Sequence, residues 1–257
     1  MTARAIRVLA VNTFREAVRD RVLYSMVFFA GAVLVLSLFA SKVTVGDHEK
    51  VVRSVGQGAM DLFGCLIAMF LGVSLVWKEL ERRTVYTILA RPLPRWSFIV
   101  GKYAGLMLTL AVEVALLLAL YTVLMAVQQH VPPPVVFVSA ASLLAKLALL
   151  TAWATLFSTT SSPVTAAAFT LSVFAIGNLA DDIWLFGRQA ESEAVQAAAR
   201  ALYWALPNFE IFNLRAHAVH ERAIPWERFF TAIAYSAAYS SAVLGLAVVS
   251  FEKKDFK

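Results

Sequence analysis

Long runs of apolar residues without any charge constrain what this chain can fold into more than any other feature of its sequence. Residues 22–40 and 229–251 contain no charged side chain, and residues 59–77 contain only Asp61, near one end. A run of roughly 20 apolar residues is long enough to cross the hydrocarbon core of a bilayer as an α-helix. A helix also satisfies its own backbone polar groups, which lipid cannot do. These runs therefore predict an all-α, polytopic membrane protein.

Three further segments bring the number of predicted transmembrane helices to six. Residues 103–127 and 135–157 are long enough to span, although each holds one internal charge, Glu113 and Lys146 respectively. The apolar stretch that follows is too long for one helix, and a polar Ser-Thr-Thr-Ser-Ser-Pro cluster divides it. The fifth predicted span is therefore the short segment 164–180.

The composition supports a chain that is solvated by lipid. Sixty per cent of the residues are hydrophobic and 16% are charged, whereas soluble domains average about 45 to 50% and about 25%. The net charge of +6 comes from basic residues beside the apolar runs, which argues against a nucleic-acid partner. A single cysteine, Cys65, excludes an internal disulfide and a cysteine-based metal site. We treat residues 1–257 as one transmembrane domain.

The distribution of lysine and arginine predicts the orientation. Fourteen of the 23 basic residues fall in segments 1–21, 78–102 and 252–257, which an alternating topology places on one side, and eight fall on the other side. Because cytoplasmic flanks carry the excess of basic residues, both termini are predicted to lie in the cytoplasm.

Helical character is also predicted outside the spans. Within residues 1–21, one face is apolar, as expected for an interfacial helix at the cytoplasmic leaflet. That face carries Ile6, Leu9, Ala10, Phe14 and Ala17, and the opposite face carries Arg4, Arg15 and Arg19. On the external side, segment 181–228 contains two predicted short helices, residues 188–204 and 209–222, which are too polar to span.

The loop formed by residues 78–102 alternates charged with apolar residues and contains two prolines. A loop that only needed to be solvated would not hold leucine, valine and isoleucine at helical spacing. The pattern predicts a short helix that docks into a groove of another protein, with arginines providing electrostatic registration.

This loop resembles the one after the second span in ABC-2 type permeases, the membrane subunits of a class of ABC transporters. The matching pattern is Glu-x-Glu-x-x-Thr, Leu-Ala-x-Pro-x-x-Arg and Gly-Lys, carried by Glu79, Glu81, Thr84, Leu89, Ala90, Pro92, Arg95, Gly101 and Lys102. The likeness extends over essentially the whole chain, although Arg83 stands where the family usually has glycine. The layout most resembles the small six-span branch that includes permeases of copper-processing systems.

The resemblance implies a coupling helix that receives the motion of a cytoplasmic ABC-type ATPase subunit. It assigns ATPase coupling to Glu79, Glu81, Arg82, Arg83, Thr84, Leu89, Arg91, Pro92 and Arg95, and re-entry into the membrane to Gly101 and Lys102. ATP and Mg²⁺ would bind to the partner, because this chain lacks a G-x-x-x-x-G-K-[ST] loop. The chain itself would bind no cofactor and would not be an enzyme. A second permease copy or a paralogue would complete the assembly in the bacterial inner (plasma) membrane.

The two charges inside predicted spans require partners, because a charge at the centre of a span is costly. Counting 1.5 Å per residue places Glu113 and Lys146 at about the same depth on helices joined by a short connection. We expect an intramembrane ion pair between them; the alternative is a role in substrate passage or protonation. Asp61 needs only the solvation available at the outer interface.

His217 and His220 are one helical turn apart and are weak candidates for a metal site. No further ligand is adjacent in sequence, so we expect solvated or capping histidines and no bound metal.

Three classes of function compete for a chain with these features. An intramembrane enzyme is disfavoured because no Gly-x-Ser-x-Gly, His-Glu-x-x-His or paired intramembrane aspartates occur. A permease that moves a substrate is favoured. An ATP-driven conformational transmitter that acts on a periplasmic or extracellular protein is the alternative, which the large external segment leaves open.

Overall fold

The computed structural model of the chain describes residues 2–43, 48–81, 94–220 and 222–253. These ranges contain ten α-helices, one short 3-10 helix (Glu210–Phe212) and no strand. The α-helices are α1 Thr2–Val18, α2 Arg21–Val43, α3 His48–Glu81, α4 Arg95–Val127, α5 Val135–Thr160, α6 Pro163–Asn178, α7 Ala180–Gln189, α8 Glu193–Ala205, α9 Arg215–Val219 and α10 Trp226–Glu252. The prediction of an all-α protein is confirmed.

Four segments of these helices are long and apolar enough to cross a membrane individually: Lys50–Ser74, Trp96–Val127, Val135–Thr160 and Trp226–Glu252. Two further pairs pass the same test together but bend by 62° at a short break: Ala3–Val18 with Leu23–Ser37, and Pro163–Asn178 with Ala180–Gln189. The described residues therefore hold four spans, or up to six if each bent pair counts as one. The predicted first span, residues 22–40, overlaps the second helix of the first pair. The predicted fifth span, residues 164–180, overlaps the first helix of the second pair.

Helix α5 is the centre of the bundle. It packs against α3, α4, α6 and α10, and most of its residues are buried. Small residues permit close approach: a Cβ atom at Gly72 of α3 would lie 2.6 Å from the Cβ atom of Ala154. Serine hydroxyls add bonds between helices, since Ser158 donates to the carbonyl of Val73 and Ser236 donates to that of Ala145.

The bundle has two ends. At the loop end, α3 ends and α4 begins; at the far end, α4 ends and α5 begins. Most of residues 41–58, between the first two predicted spans, are helical, because α2 continues to Val43 and α3 begins at His48. Part of that segment is buried in the bundle, including Val52 and Arg53, and packing therefore extends the helix beyond its most apolar part.

At the far end, a helical hairpin of α7 and α8 precedes the 3-10 turn and α9. Helix α8 corresponds to the predicted helix of residues 188–204. Helix α7 was not predicted, and its first turn carries Asp181 and Asp182. Acidic residues there interact favourably with the helix dipole. The rings of Trp184 and Tyr203 pack 4.9 Å apart between the two helices.

Candidate functional site

The predicted coupling residues lie at the ends of α3 and α4 and between them. Glu79 and Glu81 belong to the last turn of α3, and Arg95 is the first residue of α4. The other six predicted coupling residues lie outside the described residues, namely Arg82, Arg83, Thr84, Leu89, Arg91 and Pro92. Their role in docking a partner stays a prediction.

Gly101 and Gly105 allow α1 to lie directly on the first turns of α4. A Cβ atom at Gly101 would lie 2.7 Å from the Cβ atom of Leu9. One at Gly105 would lie 2.6 Å from the carbonyl oxygen of Ala10 and 2.6 Å from the Cβ atom of Thr13. These distances are too short for any other residue without displacement of α1. The two glycines thus form a small-xxx-small contact of the kind that joins membrane helices.

The amphipathic pattern of α1 is therefore confirmed, but α4 covers much of its apolar face. Ala17 and Thr13 are buried, whereas Arg4 and Arg15 are exposed on the opposite face. The bend of 62° between α1 and α2 turns α1 out of the direction of the first span.

Lys102 lies between the two glycines and is almost completely buried, with 1% of its side chain exposed. Its ammonium donates a hydrogen bond to Oε2 of Glu16 on α1, at 3.3 Å. A buried charge is tolerated only when it is paired. The residue predicted to mark re-entry into the membrane thus also attaches α1 to α4.

The end of α10 completes this arrangement. The rings of Phe98 in α4 and Phe251 in α10 stack with centroids 5.5 Å apart, and Ile99 and Ala247 are buried beside them. Leu9 of α1 packs against the same cluster. We call residues 2–18, 95–105 and 244–252 the loop-end junction, because they join three helices immediately beyond the predicted coupling loop.

Lys146 lies at the centre of a polar cluster between α3, α5 and α6. Its ammonium donates to both carboxylate oxygens of Asp61, at 2.9 and 3.1 Å, and to the side-chain oxygen of Asn178, at 2.9 Å. It also lies 5.6 Å from the ring centroid of Phe174, within range of a cation–π interaction. The Lys146 side chain is 5% exposed and that of Asp61 is 46% exposed.

The expected ion pair between Glu113 and Lys146 is therefore wrong. Lys146 pairs with Asp61, and neither carboxylate oxygen of the buried Glu113 has a hydrogen-bond partner in the part of the chain that the structure describes. Equal depth did not imply contact, because the face of a helix on which a side chain lies is set by packing. The face of α5 that carries Lys146 is turned toward α3 and α6.

The two candidate metal ligands lie in and after α9 at the far end. His217 is partly buried, and His220 is exposed. Burial and the nearby charges of Arg228 and Arg222 lower the pKa of His217. No group of three or more His, Cys, Asp or Glu residues that could hold a metal occurs among the described residues.

Sequence reasoning missed three residues that the structure brings into these contacts: Asp61, Gly105 and Glu16. The spacing Gly101-x-x-x-Gly105 was a readable signal for close helix packing. No comparable signal links Asp61 to Lys146, which are 85 positions apart.

Comparison with protein families gives one match: residues 7–256 match the family described as "ABC-2 family transporter protein". The match covers nearly the whole chain and does not distinguish branches of the family, so the resemblance to permeases of copper-processing systems stays a prediction. A search of curated proteins returned no match.

Proposed function

Because this chain belongs to the ABC-2 family of transporter proteins and is the multi-pass permease subunit of an ABC transporter, we propose that its coupling loop converts ATP hydrolysis by a separate subunit into movement of a substrate. The loop comprises residues 78–102. The ATPase partner that the family implies would dock at the ends of α3 and α4 and would bind ATP and Mg²⁺. A second permease, a copy of this chain or a paralogue, would complete the substrate path. The basic flanks support a cytoplasmic location of both termini and of the loop in a bacterial cell.

The loop-end junction is the observation that carries this proposal. A force applied to the coupling loop reaches α4 at its first turn. In the turns that follow, Gly101 and Gly105 contact α1 without an intervening side chain. The Phe98–Phe251 stack connects the same turns to α10. Closely packed protein has little compressibility, so displacement of α4 moves α1 and α10 with it. Motion at the loop would thus reach helices at both ends of the sequence.

The first test is purification of the tagged full-length chain from membranes of its host. We expect an ATPase with a P-loop to copurify. A triple variant with Glu79→Gln, Glu81→Gln and Arg95→Gln should release it, because charge registration of the docked loop is lost.

A matched control removes three exposed charges at the far end, through Arg188→Gln, Glu191→Gln and Glu193→Gln. This variant should retain the ATPase. Equal retention by both variants, or full ATP-driven coupling after residues 82–93 are replaced by a glycine-serine linker, would refute the docking site.

A transmitter that acts on an external protein is the second candidate, and one observation favours it. The α7–α8 hairpin exposes Leu185, Phe186 and Trp204, which are 57%, 69% and 76% exposed. Exposed apolar side chains of this kind mark contacts with a protein or with the membrane interface. The variant Leu185→Ser, Phe186→Ser, Trp204→Gln should lose a copurifying periplasmic protein while it retains the ATPase. If ATP-driven movement of a solute continues in this variant, the transmitter function is ruled out.

A further inference from the structure

A polar cavity of about 290 Å³ lies in the far half of the bundle. Helices α3 and α5 form its walls, Asn178 at the end of α6 lies at one side, and residues 212–215 cover it. Its polar lining includes Gln57, Asp61, Ser139, Lys146 and Arg215. The cavity belongs to this chain alone and lies away from the coupling loop.

The covering segment is attached to the bundle by specific bonds. Ser142 of α5 donates to the carbonyl of Phe212, and the guanidinium of Arg228 donates to the carbonyls of Glu210 and Ile211. The cavity is therefore enclosed by ordered structure on the side of the external segment, and its shape is part of the fold.

Most polar groups in the lining already have partners. The ammonium of Lys146 donates to Asp61 and Asn178, which occupy its three hydrogen-bonding directions. The Ser139 hydroxyl donates to the side-chain oxygen of Gln57. These bonds fix the orientation of the Gln57 amide, so that its nitrogen is left for another partner.

That nitrogen is the group the fold does not satisfy. Gln57 is 6% exposed, and its Nε2 has no hydrogen-bond partner among the residues that the structure describes. A buried donor without a partner is destabilising, because it has lost its hydrogen bonds to water. An acceptor placed in the cavity would remove that cost.

Arg215 supplies the second donor group. Its guanidinium lies over the backbone of α3 at Gly58, where a Cβ atom would be 3.2 Å from Cζ. Nη2 donates to the hydroxyl of Ser54 at 2.8 Å, the one side-chain bond it makes in the described part of the chain. A guanidinium carries five N–H donors, so most of them remain available to a ligand.

The charges favour an anion. The carboxylate of Asp61 is paired with the ammonium of Lys146, and the carboxylate of Glu210 does not line the cavity. Among the residues that the structure describes, Arg215 is the charged residue of the lining that has no partner of opposite charge. Its fork of N–H groups matches the oxygens of carboxylate or phosphate.

We propose that this cavity is a binding site for an oxyanion, the carboxylate or phosphate group of a small solute or of a lipid headgroup, held by Arg215 and the Gln57 amide. The inference goes beyond the coupling function and does not depend on it, because it concerns this chain alone. A Cβ atom at Gly58 would lie tightly against the guanidinium, and a large side chain there would displace it.

The test is chemical labelling of a cysteine placed in the cavity of the full-length chain in nanodiscs. Ala140→Cys introduces a reporter in the lining, and Cys65→Ala removes the native thiol. The reporter is treated with an anionic sulfonatoethyl and with a cationic trimethylammonioethyl methanethiosulfonate. Each rate is divided by that of the same reagent with free cysteine, and on this scale the anionic reagent should react roughly tenfold faster than the cationic one. Succinate or inorganic phosphate, but not chloride at the same ionic strength, should slow the reaction.

Variants assign the effect to residues. Arg215→Gln should abolish the preference for the anionic reagent and the protection, and Gly58→Leu should do the same without removing a charge. Arg188→Gln, which alters an arginine of the same external segment outside the cavity, should change neither. Because Arg215 is exposed, Arg215→Gln should fold normally. The test therefore still gives a result if Gly58→Leu does not fold.

Two lipid compositions separate the sources of the oxyanion. Protection by the added anions in phosphatidylcholine nanodiscs identifies a soluble ligand. Protection without added anion, found only in phosphatidylglycerol nanodiscs, identifies a lipid headgroup. Equal or faster reaction of the cationic reagent, or absence of protection in both lipids, overturns the proposal.

Discussion

The pairing of Lys146 with Asp61 predicts an asymmetric response to mutation. Asp61→Asn leaves the ammonium buried with its charge and with weakened acceptors. Breaking a buried ion pair in this way costs about 3–5 kcal/mol. Asp61 is 46% exposed and Asn178 still accepts a bond, so we expect the lower end of that range. Lys146→Met removes the buried charge and leaves only a half-exposed carboxylate, so it should cost about 1 kcal/mol.

The double variant tests the reasoning. If the cost of Asp61→Asn arises from the stranded ammonium, then Asp61→Asn with Lys146→Met should be about as stable as Lys146→Met alone. The corresponding coupling energy has a magnitude of about 3 kcal/mol, at the upper end of the range for groups in direct contact. For a chain of this size about 3 kcal/mol corresponds to a fall in Tm of roughly 6–12 °C.

The assay is thermal unfolding of the full-length chain in one detergent, followed by tryptophan fluorescence. Trp153 is a suitable reporter because its ring packs 5.3 Å from that of Phe157 in the core. Glu113→Gln is the matched control, since its carboxylate makes no ion pair in the described structure, and it should lower Tm by less than Asp61→Asn does. Additive single effects, or a larger loss from Glu113→Gln, would contradict the assignment.

Two further outcomes are expected. Gly105→Leu should lower the free energy of unfolding by about 3 kcal/mol and separate α1 from α4, because overpacking against a backbone carbonyl cannot be relieved. The control is Gly245→Leu, since no atom lies within 4 Å of a Cβ atom at that position. This control should be neutral or stabilising in the same unfolding assay. The lowered pKa of His217 means that below about pH 6.5 the unfolded chain binds a proton that the folded chain does not. Tm should therefore fall as pH falls from about 7.5 to about 5.5. This fall in Tm should be smaller in His217→Gln and unchanged in the control His220→Gln, which alters an exposed histidine. Equal falls in the wild type and in His217→Gln would refute this prediction.

The sequence was sufficient for features that depend on local physics. An uncharged apolar run must be helical in lipid, because no other segment structure satisfies its backbone there. The periodicity of residues 4–20 was likewise sufficient for α1, and the pattern of the coupling loop was sufficient to indicate the family. These properties are set by the residues of one segment and their immediate neighbours.

Boundaries were less predictable where packing changes the balance. Helix α3 starts eleven residues before the predicted span of residues 59–77, because residues such as Val52 gain burial against the bundle. The fifth span is short and continues into α7 after a bend, an arrangement that a hydropathy run does not indicate.

Partners across the bundle were decided only by the tertiary structure. Residue counting places a side chain along the helix axis, since each residue adds about 1.5 Å. It does not specify the rotation of the helix about that axis, which depends on how distant segments pack. The apolar runs thus determined that Lys146 lies within a membrane helix, while the packing of α3, α5 and α6 decided that its partner is Asp61 and that Glu113 has none among the described residues.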